Sequence, residues 1–273
     1  MQRLKDKVCI VTGSGNGIGQ AIAEKFAREG AKVVCSSRRA VNGQPVSDAL
    51  NAEGCDTIFV QCDISKEEDI KKLFDETIKK FGRVDCLVNN AGVNFVKPFM
   101  TLELEDWDRV LNTDLRGTFM CTMRAIHEMV PNGGGSIVNI TSVHTLQCLD
   151  GACPYDAAKW GVVGMTKSIA VEMAEKGIRI NALSPGLIAT QIWNDLLDAS
   201  GDARQACEDY WNSNIPQRRA GTPEEIANAA LFLCSDEASY FNGANILCDG
   251  GMTACLCNRA SFESTASEGG ERK

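Results

Sequence analysis

A tyrosine and a lysine four positions apart carry the clearest chemistry in the sequence. Tyr155 and Lys159 stand in the stretch YDAAK, and on one helix they would lie on the same side. An ammonium group beside a phenol favours the phenolate and so eases proton transfer near neutral pH. Because this spacing is frequent by chance, the pair needs support from the rest of the chain.

A glycine-rich stretch near the start, TGSGNGIGQ, predicts a phosphate-binding loop. It follows a strand-like run and opens a helical pattern, and the backbone N–H groups at the start of a helix can bind an anion that glycine lets approach closely. The glycines do not have the GxGxxG spacing. We predict that Gly13, Gly17 and Gly19 form the loop and that Gly15 is an extra glycine in a variable position.

The elements that must position these groups alternate between strands and helices. Continuous apolar character is typical of strands covered on both faces, and strands that alternate with helices predict a parallel, doubly wound sheet. The sequence has no internal repeat and no interior linker that would separate a second domain. The strand-like runs are KVCIVTG, KVVCSS, TIFVQCD, VDCLVNN, SIVNITS, IRINALSP and NILCDGG.

Composition excludes several kinds of function. The 273 residues carry a net charge of −8 without a basic run, so we expect no nucleic-acid or membrane partner. The start of the chain has no signal-peptide pattern, and the thirteen cysteines suit a reducing compartment, so we expect a cytoplasmic protein. Cys255 and Cys257 form a CxC pair without a second pair, and we predict no metal site.

Four further motifs give the chain a resemblance to a known family. Together with the pattern TGxxxGxG come NNAG at 89–92, Ser142 thirteen residues before Tyr155, SPG at 184–186 and DGG at 249–251. In order and spacing they resemble the classical short-chain dehydrogenase/reductase family over nearly the whole chain. The resemblance implies a single-domain Rossmann fold with a seven-stranded parallel sheet over residues 1–257, a nicotinamide cofactor, and a homotetramer or homodimer. The polar segment 258–273 reads as a disordered tail.

The resemblance also assigns catalytic roles. Tyr155 would protonate the developing alkoxide, Ser142 would hydrogen-bond the substrate oxygen, and Lys159 would also hold the nicotinamide ribose. The family usually has an asparagine where NTDLRG places Asp114. A carboxylate offers only acceptors where an amide also donates, so we expect retained activity with an altered proton relay.

The end of the second predicted strand, CSSRR, favours NADP over NAD. An acid about 20 residues beyond the glycines binds the ribose hydroxyl of NAD, whereas arginine there accommodates the 2′-phosphate of NADP. Ser37 stands at that place and is followed by Arg38 and Arg39. Use of both cofactors stays open, because many NADP-preferring relatives have a basic residue where Asn16 stands. The other cofactor-binding residues that the resemblance implies are Gly13, Ser14, Gly17, Ile18, Gly19, Asp63, Ile64, Asn90, Ala91, Gly92, Tyr155, Lys159, Pro185, Gly186, Ile188 and Thr190.

The substrate is the least determined part of the sequence. We interpret residues 189–220 as a lid, and Ser142, His144 and Trp193 as substrate contacts. For His144, a structural hydrogen bond stays open as an alternative. The apolar and aromatic residues of the lid favour a bulky apolar substrate such as a steroid or bile acid. The same residues would equally pack a helix pair or a subunit contact. Open alternatives are a 3-oxoacyl-[acyl-carrier-protein] reductase, a glucose-type sugar dehydrogenase, and a non-catalytic NADP-binding sensor or scaffold.

Overall fold

The computed structural model describes residues 2–190 and 201–255. Over these residues the chain forms one parallel sheet of seven strands in the order β3-β2-β1-β4-β5-β6-β7. The prediction of a seven-stranded Rossmann sheet is therefore confirmed. Trp193, part of the predicted lid, Cys257 and the segment 258–273 lie outside the described residues. The strands are β1 (Val8–Thr12), β2 (Lys32–Ser37), β3 (Thr57–Gln61), β4 (Cys86–Asn89), β5 (Gly135–Ile140), β6 (Ile178–Pro185) and β7 (Asn245–Cys248).

Helices cover both faces of the sheet and enclose two apolar clusters. One cluster holds Ile22 and Phe26 of α1 together with Leu231 of α8, and the other holds Phe74 of α3 and Met129 of α5. Both faces of each central strand are buried, which explains their continuous apolar sequences. The helices are α1 (Gly17–Arg28), α2 (Ala40–Ala52), α3 (Glu67–Phe81), α4 (Leu104–Val110), α5 (Thr118–Met129), α6 (Cys153–Met173), α7 (Gly201–Asn214) and α8 (Pro223–Cys234).

The strand order places a crevice between β1 and β4. The chain winds outward to β3 on one side of β1, and from β4 to β7 on the other, so the connections leave opposite faces at this point. In open parallel sheets, ligands bind at the carboxyl ends of the strands where the order reverses. Gly13 follows β1 there, and Asn90 to Gly92 follow β4.

A chain of buried polar side chains ties α6 to the middle of the sheet. Asn89 on β4 donates to Thr122 on α5 at 3.0 Å and to Asn139 on β5 at 2.8 Å. Asn139 in turn donates to Thr166 on α6 at 2.9 Å. Buried hydrogen bonds of this kind fix orientation better than apolar contacts do. The helix that carries Tyr155 is thereby held in one position relative to the strand ends.

Local features of the sequence set other helix ends and the state of the thiols. Thr222 and Glu225 form the reciprocal capping box at the start of α8.

Burial raises the pKa of both Cys35 and Cys62 to about 12, so these thiols stay neutral. Within the described ranges, no helix is long and apolar enough to cross a membrane.

Candidate active site

Two adjoining cavities open at the carboxyl edge of the sheet. The glycine-loop cavity, of about 370 Å³, is lined by residues that follow β1, β2, β3 and β4. The tyrosine cavity, of about 710 Å³, lies beside it and contains Ser142, Tyr155 and Lys159. The two cavities are continuous, because both are lined by Ile18, Asn90, Gly92, Val93 and Thr190.

The glycine loop leaves the first N–H groups of α1 open to its cavity. Asn16 precedes the helix, but its side chain makes no capping hydrogen bond. The early N–H groups of a helix lack intrahelical partners and are available for an anion. A Cβ atom on Gly19 would lie 2.2 Å from the carbonyl oxygen of Gly13, which itself has a φ of 68°. Both positions therefore require glycine.

Asn90 holds the glycine loop against the end of β4. Its side-chain amide donates to the carbonyl oxygens of Thr12 and Gly13, at 3.1 Å each. The Thr12 hydroxyl accepts from the backbone N–H groups of Asn90 and Ala91, at 3.0 and 3.1 Å. Both amide protons of Asn90 are used in these bonds, so this side chain shapes the cavity wall instead of offering donors to a ligand.

Two exposed arginines lie at the end of β2, on the wall of the glycine-loop cavity. In the described part of the chain, neither Arg38 nor Arg39 pairs with an acid. Among the described lining residues, the one carboxylate belongs to Asp63, and its Oδ1 accepts from the Ser65 hydroxyl at 2.8 Å. This side of the cavity therefore carries a net positive charge.

The cavity differs from the sequence-based assignment at two positions. Ser14 does not line it: the side chain is buried, and its hydroxyl accepts from the backbone N–H of Ser36 at 2.8 Å. Gly15 is more constrained than an extra glycine, because its Cβ would lie 2.8 Å from the Cβ of Asn42 on α2. Asn42 also lines the cavity, and nothing in the sequence pattern singled it out. The other cofactor-binding residues named from the sequence all line one cavity or both.

Ser142, Tyr155 and Lys159 meet in the tyrosine cavity. Ser142 follows β5 and is buried, and its hydroxyl oxygen accepts from the backbone N–H of His144 at 3.2 Å. The ammonium of Lys159 lies 5.3 Å from the centre of the Tyr155 ring, as expected for positions one helical turn apart. No described group hydrogen-bonds the Tyr155 hydroxyl, so it is open to a substrate.

Asp114 forms a buried ion pair with Lys159. The carboxylate Oδ2 lies 3.1 Å from the lysine Nζ, and the two side chains are only 0% and 8% exposed. The other oxygen, Oδ1, accepts from the Val93 N–H at 2.8 Å. Burial works to lower the pKa of Lys159, but the charges of Asp114 and Tyr155 outweigh it and the net shift is upward. The lysine is therefore held as an ammonium ion.

A short π-helix brings Asp114 to this position. Residues Leu111–Gly117 form a wider turn between α4 and α5, and such turns often occur at functional sites. The carbonyl oxygen of Asp114 accepts from the Thr118 hydroxyl at 2.8 Å. Gly92 leaves room for the carboxylate, because a Cβ there would lie 2.7 Å from Oδ2.

His144 lines the same cavity. Its Nδ1 is 2.5 Å from Oδ1 of Asp156, and its ring meets the Tyr155 ring edge-on at 5.2 Å between centres. The sequence left open whether this histidine has a structural bond or touches substrate. The geometry allows both, since Nδ1 makes the bond while the ring lines the cavity.

Comparison with known proteins identifies the family. A family model described as enoyl-(acyl carrier protein) reductase matches residues 13–253. Glucose 1-dehydrogenase 2 of Bacillus subtilis is 39% identical over 253 residues, covering 92% of this chain and 96% of that protein. The 3beta-hydroxysteroid dehydrogenase 1 of Eggerthella lenta is 40% identical over 252 residues, covering 92% of this chain and 95% of that protein. The chain belongs to the short-chain dehydrogenase/reductase family.

A solved structure supports the same assignment. A 7 alpha-hydroxysteroid dehydrogenase, in complex with NADH and 7-oxo glycochenodeoxycholic acid, superimposes with a TM-score of 0.85 at 35% identity. The match covers 92% of this chain and 96% of that chain. This short-chain dehydrogenase/reductase is therefore an alcohol dehydrogenase or carbonyl reductase that uses an NAD(P) cofactor.

The two cavities of this short-chain dehydrogenase/reductase fit such a cofactor. The open N-terminus of α1 suits a pyrophosphate, and the continuity of the cavities at Ile18 and Thr190 suits a long dinucleotide. The ammonium of Lys159 lies 3.1 Å from Asp114 Oδ2 and donates to the Ile140 carbonyl oxygen at 3.4 Å; an ammonium has three N–H donors, so a donor remains for a ribose hydroxyl.

Sequence reasoning missed several residues of the substrate side. Tyr210 on α7, which was assigned to the lid, does line the tyrosine cavity. The side chains that sequence reasoning did not connect with the site come from the segments that follow β4 and β7, and only the folded chain brings these segments together. They are Val93, Asn94, Val96 and Met252.

Proposed function

We propose that this protein interconverts a secondary alcohol and a ketone with NADP(H), on a bulky ring substrate such as a steroid or bile acid. The observation that carries the proposal is the convergence of Ser142, Tyr155 and Lys159 on one wall of a cavity that joins the glycine-loop cavity. A hydroxyl donor, a phenol and an ammonium at one point serve the chemistry of a carbonyl oxygen that gains or loses a proton.

Each of the three side chains has one task in the reduction. The Ser142 hydroxyl donates to the substrate oxygen and orients it. The Tyr155 hydroxyl, which no described residue occupies, gives its proton to that oxygen as negative charge develops there. The nicotinamide supplies the hydride in reduction and accepts it in oxidation. In oxidation Tyr155 takes the proton from the alcohol instead.

Asp114 and Lys159 adjust the proton transfer. The ammonium of Lys159 stabilises negative charge on Tyr155, and Asp114 opposes part of that effect because it brings a carboxylate to within 3.1 Å of the ammonium. An asparagine at this position would leave the lysine charge uncompensated. The chain therefore has a weaker electrostatic push toward the phenolate than the usual arrangement of its family.

Arg38 and Arg39 support a preference for NADP. Both guanidinium groups are free of acids in the described residues and lie on the same wall as Ser37. A charge-assisted hydrogen bond to a phosphate contributes about 1.5 to 3 kcal/mol. Replacing both arginines with alanine should raise the KM for NADPH about tenfold or more. NADH, which lacks the phosphate, is the matched control, and an equal loss with both cofactors would refute the preference.

The shape and lining of the tyrosine cavity support a bulky substrate. Its volume of about 710 Å³ is in the range of pockets for drug-sized ligands. Apolar side chains from several segments line it, among them Val143, Leu149, Leu187 and Met252. The likeness to two hydroxysteroid dehydrogenases points in the same direction.

A panel of ketones tests the proposed function. NADPH and NADH absorbance is followed with keto-steroids, acetoacetyl thioesters and sugars, with Tyr155→Phe as the inactive control. We expect the wild-type protein to reduce keto-steroids and the Tyr155→Phe variant not to reduce them. Turnover of thioesters alone would favour the acyl-carrier alternative, and tight cofactor binding without any turnover would contradict the proposal as a whole.

Exposed apolar side chains on α5 and α6 support a homodimer or homotetramer. Phe119 and Met123 lie one turn apart and are 45% exposed each, and Trp160 on α6 is 50% exposed. A cluster of this kind is unusual on a monomer. Sedimentation velocity should find an oligomer, and Trp160→Glu should dissociate it. A wild-type protein that sediments as a monomer would contradict this part of the proposal.

A further inference from the structure

An imidazole on the wall of the tyrosine cavity is paired with a carboxylate behind it. His144 stands two residues after Ser142, and Asp156 directly follows Tyr155 in the first turn of α6. Their Nδ1 and Oδ1 atoms are 2.5 Å apart. The side chain of Asp156 is 10% exposed and that of His144 is 22% exposed, so the pair is largely screened from solvent.

The carboxylate determines which nitrogen of the ring carries the proton. An ionised carboxylate only accepts hydrogen bonds, so Nδ1 is the donor. In the neutral ring Nε2 is then an acceptor, and none of the described residues hydrogen-bonds to it. The short contact with Asp156, on the first turn of α6, holds the imidazole in one orientation.

The imidazole that carries the free acceptor lies beside the Tyr155 ring, 5.2 Å away between ring centres. The backbone N–H of His144 donates to the Ser142 hydroxyl oxygen at 3.2 Å, and the imidazole ring packs edge-on with the Tyr155 ring. These are the two hydroxyl groups that would hold the reacting oxygen. A substrate group that reaches Nε2 must therefore be carried near the reacting carbon.

We propose that His144, oriented by Asp156, accepts a hydrogen bond from a second hydroxyl group of the substrate, on the carbon next to the one that reacts. The substrate class is then a cyclic α-hydroxy ketone, or the corresponding vicinal diol. The inference rests on the proposed ketone–alcohol reaction and adds to it the group beside the ketone. Polar side chains from three separate segments, Asn94, Gln147 and Asn214, line the same cavity and suit a substrate with further hydroxyl groups.

A matched pair of ketones tests the role of His144. The ratio of kcat/KM for 2-hydroxycyclohexanone to that for cyclohexanone is measured with NADPH. The wild-type protein should prefer the hydroxylated ketone about threefold to tenfold, the contribution of one neutral hydrogen bond. In His144→Leu the ratio should fall to about one. His144→Gln, which returns an acceptor oxygen, should keep part of the preference.

Asp156 acts as a positioning residue, and its variants separate that role from packing. Asp156→Ala should lower the ratio, because the ring loses its fixed orientation. Asp156→Asn keeps an oxygen that accepts from Nδ1, so this variant should retain more of the preference for the hydroxylated ketone. His127 is the other histidine of the chain and lies on α5 away from both cavities, so His127→Leu is the matched control and should leave the ratio unchanged.

The outcomes distinguish this inference from the proposed function. Reduction of both ketones with a ratio that His144→Leu does not change overturns the role of His144 and leaves the reaction intact. A wild-type preference for cyclohexanone also overturns it. The absence of turnover for both ketones by a protein that reduces keto-steroids overturns the inference and leaves the proposed reaction intact, whereas the absence of turnover for keto-steroids as well overturns both.

Discussion

Replacing Asp114 with asparagine should move the pH dependence of the reaction to lower pH. The substitution removes one negative charge and preserves the shape of the side chain. The amide oxygen can still accept from the Val93 N–H, as Oδ1 does at 2.8 Å. The change at Oδ2 is the important one, because an amide no longer neutralises the ammonium of Lys159.

The distance of 3.1 Å between Oδ2 and Nζ sets the size of the effect. For unit charges at this distance, Coulomb's law gives about 1 kcal/mol in water and about 5 kcal/mol at an effective dielectric constant of 20. These energies correspond to about 1 to 4 pKa units. Water that reaches the open cavity reduces the effect, so we expect a shift of about one unit or more.

The sign follows from the raised pKa of Lys159. In the wild-type protein Lys159 stays an ammonium ion to higher pH than it would without the Asp114 carboxylate. The stability that the ion pair contributes is lost as the pH rises through the raised pKa of Lys159. Without Asp114 the proton of Lys159 leaves at lower pH. The alkaline limb of the pH–rate profile should therefore shift to lower pH. The limb that requires a phenolate should also shift to lower pH.

The assay is kcat/KM for alcohol oxidation over a pH series, since this quantity reports the free enzyme. The control is Asp75→Asn, which removes the same charge from a carboxylate paired with Lys71 and Arg124 on the surface. The control should leave the profile in place. A profile for Asp114→Asn that coincides with the wild-type profile would refute the electrostatic role of Asp114.

Three further predictions concern the loop and the stability of α8. Gly19→Ala should abolish NADPH binding in a fluorescence titration, because its Cβ would lie 2.2 Å from the Gly13 carbonyl oxygen; wild-type affinity would contradict the close approach. Thr222→Ala should lower the free energy of unfolding by about 1 kcal/mol and the melting temperature by about 2 to 4 °C, whereas Thr222→Ser should not. Arg219 lowers the pKa of Glu225 to about 2, so Glu225→Gln should reduce stability at neutral pH, and the difference from wild type should vanish as the pH falls toward 2; a difference that persists there would argue against this pair.

The sequence was sufficient to predict the sheet because its strands are buried on both faces. Continuous apolar runs mark such strands clearly, and all seven runs became strands in the described part of the chain. The motifs did not point to Asn42 or Val93, but the motif residues named as cofactor-binding line one or both cavities, since strand ends that follow one another in a parallel sheet meet at one edge. Ser14 is the exception, because its side chain turns toward Ser36.

The pairing of side chains could not be predicted from the sequence. Asp156 and His144 are twelve positions apart and belong to different elements, and no periodicity connects a turn with a helix. The π-helix at Leu111–Gly117 was equally hidden, because a widened turn keeps the local preferences of an α-helix. Asn89, which stands in the NNAG motif, bonds to Asn139 inside the sheet. A motif position alone does not separate such a structural role from ligand binding.

The charges of the tyrosine cavity determine which kind of substrate it can select. Among its described lining residues the formal charges are those of Asp114 and Lys159, and these two compensate each other at 3.1 Å. No cation is then left there to hold a carboxylate or a phosphate beside the reacting carbon, and burying an uncompensated anion would be unfavourable. Recognition near the reaction must therefore rest on neutral hydrogen bonds and shape. His144 provides one such bond at Nε2, and an acidic group of the substrate would have to lie away from Tyr155.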